Sequence, residues 1–292
     1  MESIFLRLAL ADTLWFTVVQ GRTDRPDCDI RVRWAVPVPG GSGNSLGRPE
    51  ENIVYKAVSL FRARTGYAET LRVRLYKRIP PGGGLGGGSS DGASALLALN
   101  TLAGTALSEG ALLEMAACLG SDVPFFLAAG GSGPGSGGAA WVSGRGERIC
   151  LLDAPRRIRV VLVNPGFSSG TPEAFALLDR VRRGKEGGEG PGPDALIAAL
   201  GGAPASWPYG NDFLPVLMAE GTAAAKAAYR GILGDFAALG ADFWGLSGTG
   251  ATCFGIFTDK GTAERGVDFL KKRWNFVQLT FPLARSVKAV LK

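Results

Sequence analysis

The spacing of hydrophobic and polar residues predicts a strand and a helix on either side of an unusual glycine segment. Between residues 71 and 76, leucine and valine alternate with arginine and tyrosine, which is typical of a half-buried strand. Between residues 95 and 102, alanine and leucine recur three and four positions apart, which predicts a helix. Residues 82–88 join the two elements, and six of these seven residues are glycine. We therefore expect a tight strand-to-helix turn here.

The same patterns divide the chain into two halves, which we predict to be domains at residues 1–154 and 155–292 of an α+β fold. In the first half, strands are expected near 4–19, 30–36 and 147–152, and helices from Asn52 and after Ser108. The second half follows the order strand, helices, two strands, helix and strand, which is typical of a ferredoxin-like layer. Its strands are expected at 157–164, 241–246, 253–257 and 276–281, and its helices from Thr171, after Asp212 and near 263–273. The glycine-rich stretches 130–138 and 182–194 are predicted to be surface loops.

A glycine-rich turn that opens a helix is suited to binding phosphate. Glycine lets the backbone turn tightly and approach an anion closely, and the first N–H groups of the helix donate to phosphate oxygens at the positive end of the helix dipole. A Walker-type loop is excluded because no lysine follows the glycines. Gly82, Gly84 and Gly87 match the dinucleotide pattern, but Glu109 begins a helical pattern instead of ending a second strand, which disfavours that alternative. The prolines before the glycines and the helix after them disfavour a flexible linker.

Five segments of the chain resemble motifs of the GHMP kinases. They are PPGGGLGGGSSDGASAL from Pro80, ENIVYKA from Glu51, GSDVPFFL from Gly120, NDF from Asn211 and LSGTGATCFGIF from Leu246. The resemblance implies a two-domain GHMP kinase fold, with an N-terminal ATP-binding domain and a C-terminal ferredoxin-like domain. It also implies that the γ-phosphate of ATP is transferred, with Mg²⁺, to a small alcohol.

The triple-glycine form of the loop and the DVPFF sequence point to one branch of this family. In that branch the acceptor is the 2-hydroxyl of 4-diphosphocytidyl-2-C-methyl-D-erythritol, in the non-mevalonate pathway to isoprenoid precursors. The alternative within the family is a kinase for another small alcohol, such as homoserine or mevalonate.

The resemblance also assigns roles to individual residues. It implies that Asp122 is the catalytic acid/base, that Ser89 binds Mg²⁺, and that the acceptor is bordered by Thr171, Thr249 and Gly250. The nucleotide contacts that it implies are Pro81, Gly82, Gly83, Gly84, Leu85, Gly86, Gly87, Gly88, Ser89 and Ser90. Local sequence leaves other interpretations open, because Asp122, Thr171 and both serines can cap helices, and residues 247–250 can be a plain hairpin turn. Asp91 is expected to point away from phosphate, since its charge would repel the anion.

The start of the chain departs from the family pattern. The resembling kinases open with a Pro-Ala-Lys-x-Asn-Leu strand and a Gly-Tyr-His-Glu turn before a segment like SIFLRLALADTLWF, which here begins at Ser3. Because the opening strand, its lysine and the Tyr-His pair are absent, we expect a start codon further upstream. In a chain that begins at Met1, we expect exposed apolar residues near Phe5, Leu8 and Leu10, and lower stability and solubility than in a longer form. The corresponding alternative function is nucleotide binding without turnover.

Composition narrows the class of protein. Hydrophobic residues make up 46% and charged residues 20% of the 292, which is typical of a globular chain. The net charge of +6 suits an anionic ligand, but no run of basic and aromatic residues indicates nucleic acid. The chain has no histidine, which excludes a Ser-His-Asp site, and its four cysteines form no Cys-x-x-Cys pair. No apolar run is long enough for a membrane span, so we expect a cytoplasmic enzyme that is a monomer or a weak homodimer.

Overall fold

The computed structural model of the protein describes residues 2–19, 28–36, 48–105, 107–129, 138–182 and 192–283. These ranges contain ten strands: β1 (Glu2–Leu6), β2 (Thr13–Val18), β3 (Cys28–Trp34), β4 (Leu71–Lys77), β5 (Gly138–Ser143), β6 (Arg148–Asp153), β7 (Arg159–Asn164), β8 (Phe243–Leu246), β9 (Cys253–Phe257) and β10 (Phe276–Thr280). They also contain nine α-helices: α1 (Ile53–Thr65), α2 (Gly87–Ala103), α3 (Glu109–Leu119), α4 (Val123–Ala128), α5 (Thr171–Arg182), α6 (Pro193–Ala199), α7 (Phe213–Glu220), α8 (Ala223–Ala238) and α9 (Lys260–Leu270).

The first half is built on a three-stranded sheet in the order β2-β4-β3. Strand β4 lies in the centre, antiparallel to β2 and parallel to β3, and buries Leu71, Val73 and Leu75 on one face as its alternation predicts. Helices α1, α2 and α3 share one apolar core with that face, and Phe61 of α1 is fully buried within it. The predicted helix starts are confirmed, because the side chain of Asn52 accepts from the N–H of Val54 and that of Ser108 accepts from the N–H of Ala111.

A second sheet, in the order β1-β5-β6, was only partly predictable. The prediction placed Gly138 at the end of a loop, whereas this residue begins β5, whose first five residues are all buried. Strand β5 has no alternation of polar and apolar residues because neither of its faces meets solvent, so periodicity could not reveal it. Helix α6 was missed, and its first two residues, Pro193 and Asp194, lie in the glycine- and proline-rich stretch that was expected to be a loop. Residues 130–137 and 183–191 of the two expected loops lie outside the described residues.

The second half has an antiparallel sheet in the order β10-β7-β9-β8. Together with the helices between β7 and β8 and helix α9 before β10, this order confirms the ferredoxin-like prediction. One face of the sheet packs against α8 and α9, with Tyr229, Phe236 and Phe257 almost completely buried between them.

A shared apolar cluster joins the two halves. Ile4, Leu6, Leu8 and Leu10 pack against buried residues of the second half, among them Ile158, Val160 and Ile256. Phe5, which like Leu8 and Leu10 was expected to be exposed, is partly buried and lies edge-on to Phe125 with 5.2 Å between the ring centroids. Leu85 belongs to the same cluster and lies in the connection between β4 and α2, the glycine loop (residues 78–86). The shared cluster therefore anchors that loop at the junction of the halves.

The helices within the described ranges are either too short or too polar to cross a membrane.

The packing of the second half predicts a large contrast between two phenylalanines. Phe257→Ala, at a side chain that is 1% exposed, is expected to reduce the free energy of unfolding by about 3–5 kcal/mol because it leaves a cavity. Phe269→Ala, at a residue that is 42% exposed and lies near the guanidinium of Arg273, is expected to cost at most about 1 kcal/mol. Urea unfolding of both variants measures the difference, and equal losses would contradict this packing.

Candidate active site

The glycine loop adopts a backbone conformation that only glycine takes readily. Gly82, Gly84 and Gly86 have φ values of +61°, +71° and +63°, in the left-handed region. At Gly84 the requirement is steric as well, because a Cβ there would clash with the carbonyl oxygen of Ser247 and lie 2.7 Å from that of Gly250. Gly84 is therefore needed for the close approach of the loop to the second half of the chain.

Three successive carbonyl groups of the loop are held by donors from the second half. The N–H of Ser169 donates to the carbonyl oxygen of Gly82 (3.0 Å), and the N–H of Thr252 donates to that of Gly83 (3.1 Å). The hydroxyl of Ser247 donates to the carbonyl oxygen of Gly84 over 2.8 Å. Since these three oxygens accept from protein donors, the negative ends of these three peptide dipoles are satisfied within the protein.

The N-terminus of α2 lies directly after the loop and can receive an anion. The N–H groups of Gly87, Gly88 and Ser89 precede the first hydrogen bond of the helix, which the N–H of Ser90 donates to the carbonyl oxygen of Gly86 (2.9 Å). The N-cap is Gly86, so the interpretation of Ser89 and Ser90 as caps is wrong, and the Ser90 hydroxyl instead donates to the carbonyl oxygen of Gly87. A Cβ on Gly88 would have no described atom within 4 Å, which leaves space beside these donors.

Asp122 immediately precedes α4, a helix that contacts the glycine loop through Phe126. It occupies the N-cap position but has helical dihedral angles, and within the described structure its side chain makes no capping hydrogen bond. Asp122 and Phe126 are four residues apart and so lie on the same face of the helix. The ring of Phe126 closes against Gly86, since a Cβ on that glycine would lie 2.8 Å from two ring carbons. Burial raises the pKa of the Asp122 carboxyl above its ordinary value, as suits a general base.

The residues expected around the acceptor also meet at the loop. The hydroxyl oxygens of Thr171, the first residue of α5, and Thr249, in the turn between β8 and β9, are 3.5 Å apart. Gly250 adjoins Gly84 of the glycine loop. The turn at 247–252 is closed by the N–H of Ser247, which donates to the carbonyl oxygen of Thr252 (2.9 Å). The hairpin interpretation is thus correct as local geometry, and the same turn also contacts the glycine loop.

Several supporting residues escaped the sequence analysis. The side-chain amide of Asn211 donates to the carbonyl oxygens of Leu246 (2.9 Å) and Gly248 (2.8 Å), and thereby fixes one side of the 247–252 turn. The buried amide of Asn164 donates to the hydroxyl of Thr252 over 3.0 Å. Asn211 lies in the NDF motif, which was recognised without a role, whereas Asn164 gave only the signal of a polar residue that ends an apolar strand.

A buried charge cluster, made of Asp12, Lys77 and Asp91, lies beside the two ends of the glycine loop. The ammonium of Lys77 pairs with Asp12 and, at 2.7 Å, with Asp91. The second carboxylate oxygen of Asp12 accepts from the N–H groups of Arg78 and Ile79. Burial raises the pKa of Asp91 to about 7, opposed by the charge of Lys77. The Asp91 side chain therefore has a partner within the protein.

Comparison with known proteins agrees with this arrangement. The family model for the GHMP kinases N terminal domain matches residues 52–130, and the model for GHMP kinases C terminal matches residues 205–275. The chain is 35% identical over 281 residues to 4-diphosphocytidyl-2-C-methyl-D-erythritol kinase of Treponema pallidum (strain Nichols), which covers 94% of this chain and 87% of the relative. It is 36% identical over 277 residues to the protein of the same name from Synechococcus sp. (strain CC9311), covering 88% of this chain and 82% of the relative.

A solved structure shows the same likeness. The crystal structure of 4-(cytidine 5'-diphospho)-2C-methyl-D-erythritol kinase superposes with a TM-score of 0.71 at 28% identity, covering 97% of this chain and 90% of that chain. At 13% identity, the structure of a mevalonate kinase from L. major in complex with R-mevalonate has a TM-score of 0.64, which supports the fold alone.

Two glycines of this site should respond differently to alanine. Gly84→Ala is expected to destabilise the protein by more than about 2 kcal/mol, because it adds a strained positive φ to a backbone clash. Gly88→Ala places a methyl group in open space within α2, and is expected to leave stability unchanged or to raise it by up to about 1 kcal/mol. If an anion occupies that space, Gly88→Ala should nevertheless weaken ATP binding.

Thermal unfolding and calorimetric titration with Mg-ATP separate the two effects. A destabilised Gly88→Ala variant, or a Gly84→Ala variant as stable as the parent, would contradict the geometry described for the loop.

Proposed function

The chain belongs to the GHMP kinases, and from that premise we propose that it transfers the γ-phosphoryl group of ATP to the 2-hydroxyl of 4-diphosphocytidyl-2-C-methyl-D-erythritol. As a small-molecule kinase it must bring together a triphosphate, an alcohol and a base. The observation that carries the proposal is that the glycine loop, the 247–252 turn and helix α4, which Asp122 precedes, converge from distant parts of the sequence. The substrate itself is inferred from the relatives that match along nearly the whole chain.

The nucleotide phosphates would be held mainly by the protein backbone. The N–H groups of Gly87, Gly88 and Ser89 open α2, and the positive end of the helix dipole adds a favourable field for an anion. The remaining residues proposed to surround the nucleotide are Pro81, Gly82, Gly83, Gly84, Leu85, Gly86 and Ser90. Phosphoryl transfer depends mostly on placement and charge stabilisation, so donors fixed by a rigid loop suit the reaction.

Magnesium fits this site as an ion carried in with the nucleotide. In the part of the chain that the structure describes, no group of three or more acidic, cysteine or histidine side chains could hold a metal by itself. Mg²⁺ commonly binds substrate phosphates and water with few protein ligands, so the hydroxyl of Ser89 in the first turn of α2 is a fitting contribution. When bound, the ion neutralises negative charge on the phosphate oxygens.

Asp122 is proposed as the general base of the transfer. Its carboxylate takes the proton of the acceptor hydroxyl as that oxygen forms its bond to the γ-phosphorus, and the bond from this phosphorus to the β–γ bridging oxygen breaks to release ADP. A raised pKa makes the carboxylate a stronger base than an ordinary aspartate. Thr171, Thr249 and Gly250 are proposed to border the acceptor, on the side of the loop where their backbone and hydroxyl groups already meet.

The proposal also covers the domain boundaries, the cellular location and the oligomeric state of the enzyme. We place the ATP-binding domain at residues 1–154 and the C-terminal domain at 155–292, with the site between them. The enzyme is proposed to act in the cytoplasm, as a monomer or weak homodimer, on small molecules alone.

Asp122→Asn tests the role of the base. The variant is expected to lower kcat at least about 100-fold, because the amide cannot accept the proton, while the Kd for Mg-ATP changes little. Asp268→Asn, at an exposed carboxylate on α9, is the matched control and should retain full activity. ADP release with Mg-ATP and 4-diphosphocytidyl-2-C-methyl-D-erythritol is the assay, with homoserine and mevalonate as competing acceptors.

The outcomes of this assay distinguish the alternatives. Turnover by Asp122→Asn close to the parent rate would remove Asp122 from the mechanism. Activity on homoserine or mevalonate alone would replace the proposed acceptor, and ATP binding without turnover on any acceptor would indicate a nucleotide-binding protein.

The pH dependence gives a separate test. Because the base must be ionised, kcat should fall as the pH drops through the pKa of Asp122, and this fall should begin at a higher pH than for an unperturbed aspartate. A rate that stays constant down to the ordinary pKa of an aspartate, about 3.9, would contradict burial of the base.

A further inference from the structure

The buried charge cluster joins the two ends of the glycine loop. Lys77 is the last residue of β4 and Asp91 lies in the first turns of α2, so their ion pair spans the start and the end of the loop. Asp12, which precedes β2, adds a third point of attachment, because it pairs with Lys77 and accepts from the N–H groups of Arg78 and Ile79. Through the carboxylates of Asp12 and Asp91, the first two residues of the loop and helix α2 are therefore linked to one ammonium group.

The charged side chains of the cluster are more deeply buried than a contribution to folding stability would explain. The side chains of Lys77, Asp12 and Asp91 are only 6%, 1% and 4% exposed. Removing charges from water is costly, and a buried ion pair is often no more stabilising than apolar residues of the same volume. What such a pair does supply is a fixed distance and direction between the groups that it joins.

The position of the ammonium connects the cluster to the proposed phosphate donors. A Cβ on Gly87 would lie 3.5 Å from the Nζ of Lys77. The ammonium is therefore close to Gly87, the first residue of α2. A displacement of Lys77 would therefore shift the helix end that carries the N–H groups of Gly87, Gly88 and Ser89. An error of about 1 Å in such a placement can reduce the rate of a reaction about 100-fold.

We propose that Lys77, held between Asp12 and Asp91, is a positioning residue for phosphoryl transfer. It sets the spacing between the end of β4 and the start of α2, and with it the position of the backbone donors against the nucleotide phosphates. This inference rests on the proposed function, since it requires the loop to bind ATP. It assigns the buried lysine to the protein's own carboxylates, with no direct contact to phosphate.

Substitutions of the two carboxylates test the proposal. Asp91→Ala removes one attachment and is expected to raise the Kd for Mg-ATP at least about tenfold, while the Kd for the acceptor stays within about twofold. Asp91→Asn keeps an oxygen that can accept from the Lys77 ammonium, and should recover most of the affinity. Asp12→Ser removes the other attachment and should reproduce the effect if Asp91→Ala fails to fold.

Leu99→Ala is the matched control for lost stability. This fully buried leucine lies on the same helix as Asp91, and its substitution destabilises the core without contacting the cluster. Calorimetry at a temperature where all variants are folded gives both Kd values, and hydrogen exchange of the peptide covering residues 78–90 reports on the loop. Faster exchange there is expected in Asp91→Ala and not in Leu99→Ala.

The two levels of inference fail in different ways. If the parent protein binds no Mg-ATP, the proposed function is wrong. If the parent binds Mg-ATP and the carboxylate variants bind it equally well, the cluster is only structural and the positioning role is wrong. The same conclusion follows if the carboxylate variants lose affinity for both ligands, or if Leu99→Ala loses as much affinity for Mg-ATP as they do.

Discussion

At Gly84 the two halves of the molecule come so close that no side chain fits between them. The carbonyl oxygens of Ser247 and Gly250 occupy the place where a Cβ would stand, and the hydroxyl of Ser247 donates to the carbonyl oxygen of Gly84 itself. This contact joins residues 163 positions apart in the sequence. Because backbone meets backbone, the contact fixes the relative position of the glycine loop and the 247–252 turn more closely than flexible side chains could.

The surrounding folds supply the rigidity that this contact needs. The glycine loop leaves the central strand of one sheet and enters a long helix, while the 247–252 turn joins two adjacent strands of another sheet. Leu85 packs in the apolar cluster shared by both halves, immediately after Gly84. Each of the two loops is thus held at both ends by regular structure, which is the usual way in which proteins position catalytic groups.

The sequence predicted the elements that carry a local signal and missed the interactions that do not. Strand β4 alternates and α2 has helical spacing, so both were predictable, as was the glycine loop. At Asp122 the local sequence indicated only a helix cap, and the catalytic role was implied by the resemblance to the GHMP kinases. Strand β5 is buried throughout and therefore lacks alternation. The partners of Ser247, Asn164 and Lys77 could not be predicted, because each depends on tertiary packing between residues 14 to 163 positions apart. Local pattern thus indicated the elements that flank the candidate site, and tertiary structure indicates what holds them in place.

In the proposed site, neutral backbone N–H groups bind the phosphates, and the neighbouring lysine does not. Lysine is the residue that many phosphate sites place on the ligand, yet the lysine nearest this loop is committed to two carboxylates of the protein. The donors that we propose for phosphate are the neutral N–H groups of Gly87, Gly88 and Ser89 at the start of α2. They cannot be lost by titration and keep the direction that the backbone gives them. Neutral N–H donors also attract the product ADP less strongly than an ammonium in contact with its phosphates would, since they carry no full charge. For an enzyme that must release a nucleotide after every transfer, placing the charge behind the loop therefore supports both orientation and turnover.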